Sequence, residues 1–185
     1  ALPILREHVF TITNNNIAFS SIFLYPYTMH TIREYTHNDV EDVKKVLTEL
    51  QEFERLLDPH RLEGLEIAHE YLSHLLKLCE QSRGKIFVVE VNSEVVGMIS
   101  VYIEEDAKHL RKKRSFAYIS DLMVLPQYRS EGVTKELLAA AEDYARSKKV
   151  DTIQSTVLTE HKDGLSGYTH NGYHQFEIVL RKHLK

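Results

Sequence analysis

The chain has 185 residues, of which 43% are hydrophobic, 27% charged and 9% aromatic, enough to bury a core within one domain. Its single cysteine, Cys79, excludes an internal disulfide, so the fold does not depend on an oxidising compartment and the cytoplasm is the expected location. Lys and Arg total 23 against 27 Asp and Glu, a formal net charge of -4, which excludes a global positive field for nucleic acid or an anionic membrane.

Residues 1–28 show neither sustained helical nor sustained strand periodicity, whereas a well-patterned sequence follows Met29. The expected division is therefore an N-terminal extension over 1–28 and a conventional domain over 29–185. Alternatively, 17–25 forms an edge strand or packs on a partner subunit, which would accommodate a homodimer. The apolar stretch 17–27 is interrupted by Ser20, Ser21 and Pro26 and is too short to span a membrane.

A short strand is expected over 31–35, then N-cap residue types at Thr36, His37, Asn38 and Asp39. Val40, Val43, Val46 or Leu47, Leu50, Phe53 and Leu57 recur at helical spacing until Asp58-Pro59 stops them. A second helix is read over 65–81, ended by Arg83-Gly84. The runs 85–91 and 95–104, separated by Asn92-Ser93-Glu94, predict a β-hairpin. The charged linker 105–114 carries Lys108, Arg111, Lys112, Lys113 and Arg114 and reads as a solvated loop. A strand over 115–125 ends at Pro126, and an amphipathic helix covers 132–147. A strand over 151–158, a short helix over 163–171 and a final strand over 173–180 complete the order β-α-α-β-β-β-α-β-α-β. That order predicts an α/β (α+β) mixed sheet with helices on its faces.

The 11 His residues invite a metal hypothesis, but their spacing does not support it. His69 and His74 lie five apart on a helix, and His170 and His174 straddle Asn171-Gly172, so no metal is expected.

The informative junction runs from Asp121 to Thr134, where a strand passes through a short loop into a helix. Free backbone N–H groups at such a helix start, aligned with its dipole, bind phosphate without a basic side chain. Gly132 permits close approach.

The strand ending Leu122-Met123-Val124-Leu125-Pro126, the step Tyr128-Arg129-Ser130-Glu131-Gly132-Val133-Thr134, the helix after it, and Tyr168 with Gly172-Tyr173 together resemble the GCN5-related N-acetyltransferase (GNAT) family. The resemblance covers about residues 31–185. It implies a mostly antiparallel sheet with splayed central strands and acetyl-coenzyme A as co-substrate. The family's pyrophosphate loop maps onto Arg129, Ser130, Glu131, Gly132, Val133 and Thr134. Leu122, Met123 and Val124 occupy the splayed segment whose backbone bonds the pantetheine arm and helps polarise the thioester carbonyl.

Downstream, the family's Asn-x-x-Ala-x-x-x-Tyr-x-x-x-Gly-Phe pattern aligns with His161, Gly164, Tyr168, Gly172 and Tyr173. Tyr168 falls where family members place a phenol to protonate the departing thiolate, and His161, in place of the common Asn, retains a ring nitrogen able to bond the coenzyme. Asp121 falls where many members have an acidic residue that acts as base or base relay, with Glu104 a weaker candidate. Thr134 adds bulk and Glu131 negative charge to the loop, which implies weaker coenzyme binding.

The resemblance implies an acetyltransferase acting on a small-molecule or peptide amine by direct attack. The alternatives are a noncatalytic coenzyme A sensor and an interaction protein using the leader and the basic loop. Cys79 reads as a packed core thiol. Phe53, Asp58, His60 and Glu63 are the regional expectation for the acceptor wall.

Overall fold

The structure, a computed structural model, describes residues 7–13, 16–22, 30–106, 112–129, 132–182 and 184, the first two stretches as backbone alone. It divides into a unit over Ala1–His30 and a unit over Thr31–Lys185. In the first, β1 (Glu7–Thr13) and β2 (Asn16–Ile22) pair antiparallel with Thr13 opposite Asn16. β2 overlaps the alternative of an edge strand over 17–25 at residues 17–22, with 23–25 outside the described residues, whereas β1 was not expected. Val9, Thr11, Ile17 and Phe19 are β-formers, but the absence of a clean polar/apolar alternation hides them from a periodicity test.

The second unit is built on a sheet of order β3-β4-β5-β6-β7. Its strands are β3 (His30–Glu34), β4 (Lys85–Val91), β5 (Glu94–Asp106), β6 (Arg114–Val124) and β7 (Ile153–Ser155). Antiparallel pairing joins β4 to β5 and β5 to β6, whereas β7 lies parallel to β6. The helices are α1 (Val40–Leu57), α2 (Gly64–Gln81), α3 (Val133–Ser147) and α4 (Lys162–His170). Every residue from Val95 to Ile103 on β5 is buried, which requires cover on both faces of the sheet. Val43, Val46, Leu47 and Leu50 of α1, with Leu72, Leu75 and Cys79 of α2, contribute to the core, as do Leu137, Leu138 and Ala141 of α3.

The expected N-cap stretch closes into a 3-10 turn at His37–Asp39, where Asp39 accepts from the Thr36 backbone at 2.6 Å. Arg33 clamps the same carboxylate with a two-pronged fork at 2.8 and 2.7 Å and reaches Glu90 on β4 at 2.8 Å. The entry of α1 is thereby tied to two strands. At its other end, Gly64 opens α2 against α1; a Cβ there would lie 2.6 Å from the Thr48 carbonyl oxygen, so only glycine allows this approach. The Gly64 N–H donates to Glu52 at 2.7 Å, which fixes where the connection 58–63 leaves and re-enters the helical layer.

Two expected elements differ. The strand read over 151–158 contracts to Ile153–Ser155. The final strand read over 173–180 does not form: Phe176, Ile178, Val179 and Leu180 stand 59% to 91% exposed in irregular backbone. Strand propensity is expressed only where a neighbour completes the ladder, and the sheet ends at β7. In the linker, β5 and β6 run to Asp106 and from Arg114, and Lys113 pairs with Glu105 at 3.2 Å. Lys108 and Arg111 lie outside the described residues.

Candidate active site

The site begins where β6 leaves its parallel neighbour. Pairing with β7 covers only Ala117↔Ile153, Tyr118↔Gln154 and Ile119↔Ser155, while β6 continues paired to β5 as far as Val124. The strands therefore part after Ile119, and one edge of β6 from Ser120 to Val124 lies outside the β7 ladder. Leu122, Met123 and Val124 stand on this edge, with Met123 and Val124 buried. Arg129 folds back to donate from Nε to the Val124 carbonyl at 3.0 Å, so its side chain braces the strand end.

A bulge shapes the floor of the opening. Ser100 is paired with Asp121 and Val101 with Ile119, so Ser120 is an extra residue on β6. This brings the adjacent side chains of Ser120 and Asp121 together at 2.6 Å, and Ser100 Oγ lies 2.7 Å from both. The other Asp121 oxygen accepts from the Tyr71 hydroxyl of α2 at 2.8 Å. Asp121 is only 6% exposed, and these hydroxyls replace the water it lost on burial. Burial, then the charge of Asp121, pushes the Tyr71 phenol well above its ordinary range.

Beyond β6, a 3-10 turn at Pro126–Tyr128 leads towards α3. Gly132, the cap of α3, has φ 112° and ψ -36°, a conformation that strains any side chain. Among the described residues, a Cβ there would have only Glu136 Oε1, at 3.9 Å, within contact range. The residue is thus demanded by backbone geometry, at a helix start whose amides suit a phosphate group. Val133 turns its side chain into the core, and Thr134 is half-buried. Ser130 and Glu131 lie outside the described residues.

Tyr168 stands on α4, its ring edge-on to Tyr173 at 5.1 Å between centroids. Ser155, at the last paired position of β7, donates to its phenol oxygen at 3.1 Å. Burial pushes the phenol up to about 12, opposed by the Ser155 hydrogen bond. It is therefore protonated at neutral pH. His161 caps α4, its ring 4.6 Å from that of Phe53 and against Gly164, and burial lowers its basicity.

The regional expectation for the acceptor wall divides. Phe53 meets His161, and Asp58 pairs with Arg181 at 3.6 Å, whereas His60 and Glu63 are exposed. Glu104 is half-buried beside Tyr102. Burial raises the Cys79 thiol to about 11, which keeps it protonated and unsuited to nucleophilic work. Among the described residues no group of three or more His, Cys, Asp or Glu is arranged to hold a metal ion, and no helix is long and apolar enough to cross a membrane.

Sequence reasoning missed Glu54, Tyr71, Ser100, Ser120 and Ser155. Glu54 had a signal: it stands four residues after Leu50 on the apolar stripe of α1. It is half-buried and paired with Arg61 at 2.7 Å. The serines had none, because a bulge and a strand end cannot be read from residue type.

A parted mixed sheet with a glycine-started helix at the opening defines an acyltransferase fold. The Acetyltransferase (GNAT) family model matches residues 47–173, and the chain belongs to that family. It is 26% identical over 152 residues to an uncharacterised N-acetyltransferase of Methanocaldococcus jannaschii, the match covering 81% of this chain and 63% of that protein. It is 32% identical over 93 residues to the aminoalkylphosphonate N-acetyltransferase of Salmonella typhimurium, covering 50% of this chain and 58% of that one. The chain thus spans about three fifths of the length of these two relatives. The solved structure of the aminoglycoside N-acetyltransferase AAC(6')-Iy in complex with CoA superposes with a TM-score of 0.65 at 16% identity, over 88% of this chain and 99% of that one, a likeness of fold.

Proposed function

We propose that residues 29–185 form an acetyltransferase unit that moves an acetyl group from acetyl-coenzyme A to a primary amine by direct attack in a ternary complex, with 1–28 an extension. The observation that carries this is the parting of β6 from β7 between the Gly132 helix start and the Tyr168 phenol. The residues present suit the coenzyme: amides at the start of α3, from Gly132 to Thr134, would hold its pyrophosphate together with Arg129, Ser130 and Glu131. The free edge at Leu122, Met123 and Val124 would bond the pantetheine arm, and His161 would bond the coenzyme from the start of α4. Acetyl-coenzyme A supplies the acetyl group as an activated thioester.

In this reading Tyr168 is the general acid. Ser155 occupies a lone pair of its oxygen, leaving the phenol proton to be donated to the departing thiolate. Asp121 is a base relay whose link to the cleft is the Tyr71 hydroxyl. The acceptor is a small-molecule or peptide amine; the similar aminoalkylphosphonate and aminoglycoside N-acetyltransferases support the former. A cytoplasmic enzyme with Cys79 reduced completes the picture. Thiol release from acetyl-coenzyme A with a panel of primary amines tests the reading. Coenzyme binding with no release for any amine would turn it into the sensor, and absence of binding would remove both.

A further inference from the structure

A buried and a half-buried carboxylate act on the same pair of phenols. The charges of Glu54 on α1 and Asp121 on β6 both bear on Tyr71 of α2 and on Tyr168 of α4. Their surroundings differ in a way that separates their chemistry. Asp121 is 6% exposed and its two oxygens accept from Tyr71, Ser100 and Ser120, so it does not meet an acceptor directly and acts only as a relay through the Tyr71 hydroxyl. Glu54 keeps 23% of its side chain exposed, and its partner is a guanidinium from a connecting segment, Arg61, at 2.7 Å. That pairing shows that the Glu54 carboxylate can hold a nitrogen cation at contact distance. Arg61 is itself 35% exposed and bonds Gln51 at 3.2 Å, so its head group stands at the solvent boundary. The neighbour of Glu54, Phe53, lies against His161 at the start of the helix that carries Tyr168.

We propose that Glu54 is the carboxylate that binds the acceptor's ammonium group and takes its proton. The proposal rests on the acetyl-transfer reading above. The ammonium gives one proton to Glu54, becoming a neutral amine and leaving a carboxylic acid. The nitrogen lone pair then forms the C–N bond to the thioester carbonyl carbon, the C–S bond breaks, and its electron pair leaves with sulfur. Sulfur takes the Tyr168 proton; the second proton lost from nitrogen passes through water back to Tyr168, and Glu54 returns its own to solvent. The groups that set the ionisation of Glu54 are Arg61 from the connection and Asp121 from β6, with the Tyr71 and Tyr168 phenols within reach of its charge. Burial raises it, Asp121 raises it further, and Arg61 opposes both. A base raised towards neutrality is better matched to an ammonium proton.

The test is the pH dependence of thiol release with spermidine, kanamycin, 2-aminoethylphosphonate and a lysine peptide, with acetyl-coenzyme A binding followed by calorimetry. Glu54→Gln is expected to lower kcat/KM for the accepted amine about 100-fold and to abolish the acidic limb of the profile, with coenzyme affinity unchanged within about twofold. Arg61→Gln removes the same ion pair but keeps the base, so it should retain kcat on the plateau and move the acidic limb to higher pH. If Glu54→Gln stays within about threefold of the parent with the same limb, or if Arg61→Gln reproduces its loss, Glu54 is only a structural latch and the proposal fails. Should Glu54→Gln no longer bind the coenzyme, Glu54→Asp decides: a retained limb with kcat about 10-fold lower supports the role, and undiminished kcat overturns it. No turnover of any of the four amines by the parent, with coenzyme bound, would overturn acetyl transfer itself and this role with it.

Discussion

Ser155 donates a hydrogen bond to the Tyr168 phenol oxygen at 3.1 Å, joining the last residue of the short parallel strand β7 to the helix α4. The bond orients the phenol without using its proton. Because β7 ends at Ser155, the same residue marks where the strands part and where the candidate acid is held.

The general-acid role predicts that Tyr168→Phe lowers kcat about 100-fold while the KM for acetyl-coenzyme A changes less than about threefold. Ser155→Ala should reduce kcat several-fold, since the phenol stays but its orientation loosens. With the phenol raised to about 12, its donor proton survives throughout the ordinary assay range. The sign for stability follows: the folded value lies above the unfolded value of about 10, so this contribution is intact below pH 10 and declines as pH rises towards 12. Steady-state kinetics and alkaline unfolding curves of the parent and Tyr168→Phe check both statements.

Gly132→Ala should separate backbone strain from packing. Its positive φ makes any side chain costly by about 1 kcal/mol, while among the described residues no atom lies closer to the Cβ position than Glu136 Oε1 at 3.9 Å. A modest fall in melting temperature is expected, with coenzyme affinity reduced about 10-fold because the α3 amides shift. Calorimetric titration beside thermal unfolding measures the two effects.

The Asp39 carboxylate, held down to about 2 first by the Arg33 hydrogen bond and opposed by burial, makes acid stability sensitive to one residue. Its stabilisation is present above the unfolded value of about 4 and is lost as pH falls through 4 towards 2. Allowing for screening at the partly exposed Arg33, its size is about 1–2 kcal/mol. Asp39→Asn should flatten the dependence of unfolding free energy on pH between 2 and 5, measured by urea titration.

Tyr71→Phe removes one of the donors that replaced water around the Asp121 carboxylate. A loss of about 1–3 kcal/mol in unfolding free energy is expected, because one oxygen of a buried acid then lacks its partner. Chemical denaturation checks this, and the crystal structure of the variant would show whether water fills the place.

The helices were legible because their apolar spacing is local: Val43, Val46, Leu47 and Leu50 on α1, and Leu137, Leu138 and Ala141 on α3, are buried where periodicity put them. The hairpin of β4 and β5 was legible from two β-branched runs around Asn92-Ser93-Glu94. The pattern over 173–180 predicted a strand and produced none, since β-propensity says nothing about whether a neighbouring ladder is available. The β1–β2 pair is the converse, a ladder without a legible alternation.

What the sequence by itself determined was the order of most elements and the helix start at Gly132, because turn residues and side-chain periods are properties of neighbours along the chain; Tyr168 was singled out by the resemblance to the GNAT family. What only the tertiary structure decided was the company those residues keep. Glu54 comes under the charge of Asp121, Tyr71 reaches Asp121 across 50 residues, and Ser155 meets Tyr168, through a bulge, a helix pairing and a strand end. These depend on packing between distant segments. No local pattern encodes which carboxylate is wrapped in hydroxyls and which pairs with a partly exposed guanidinium, because solvation is set by the segments that pack around each group.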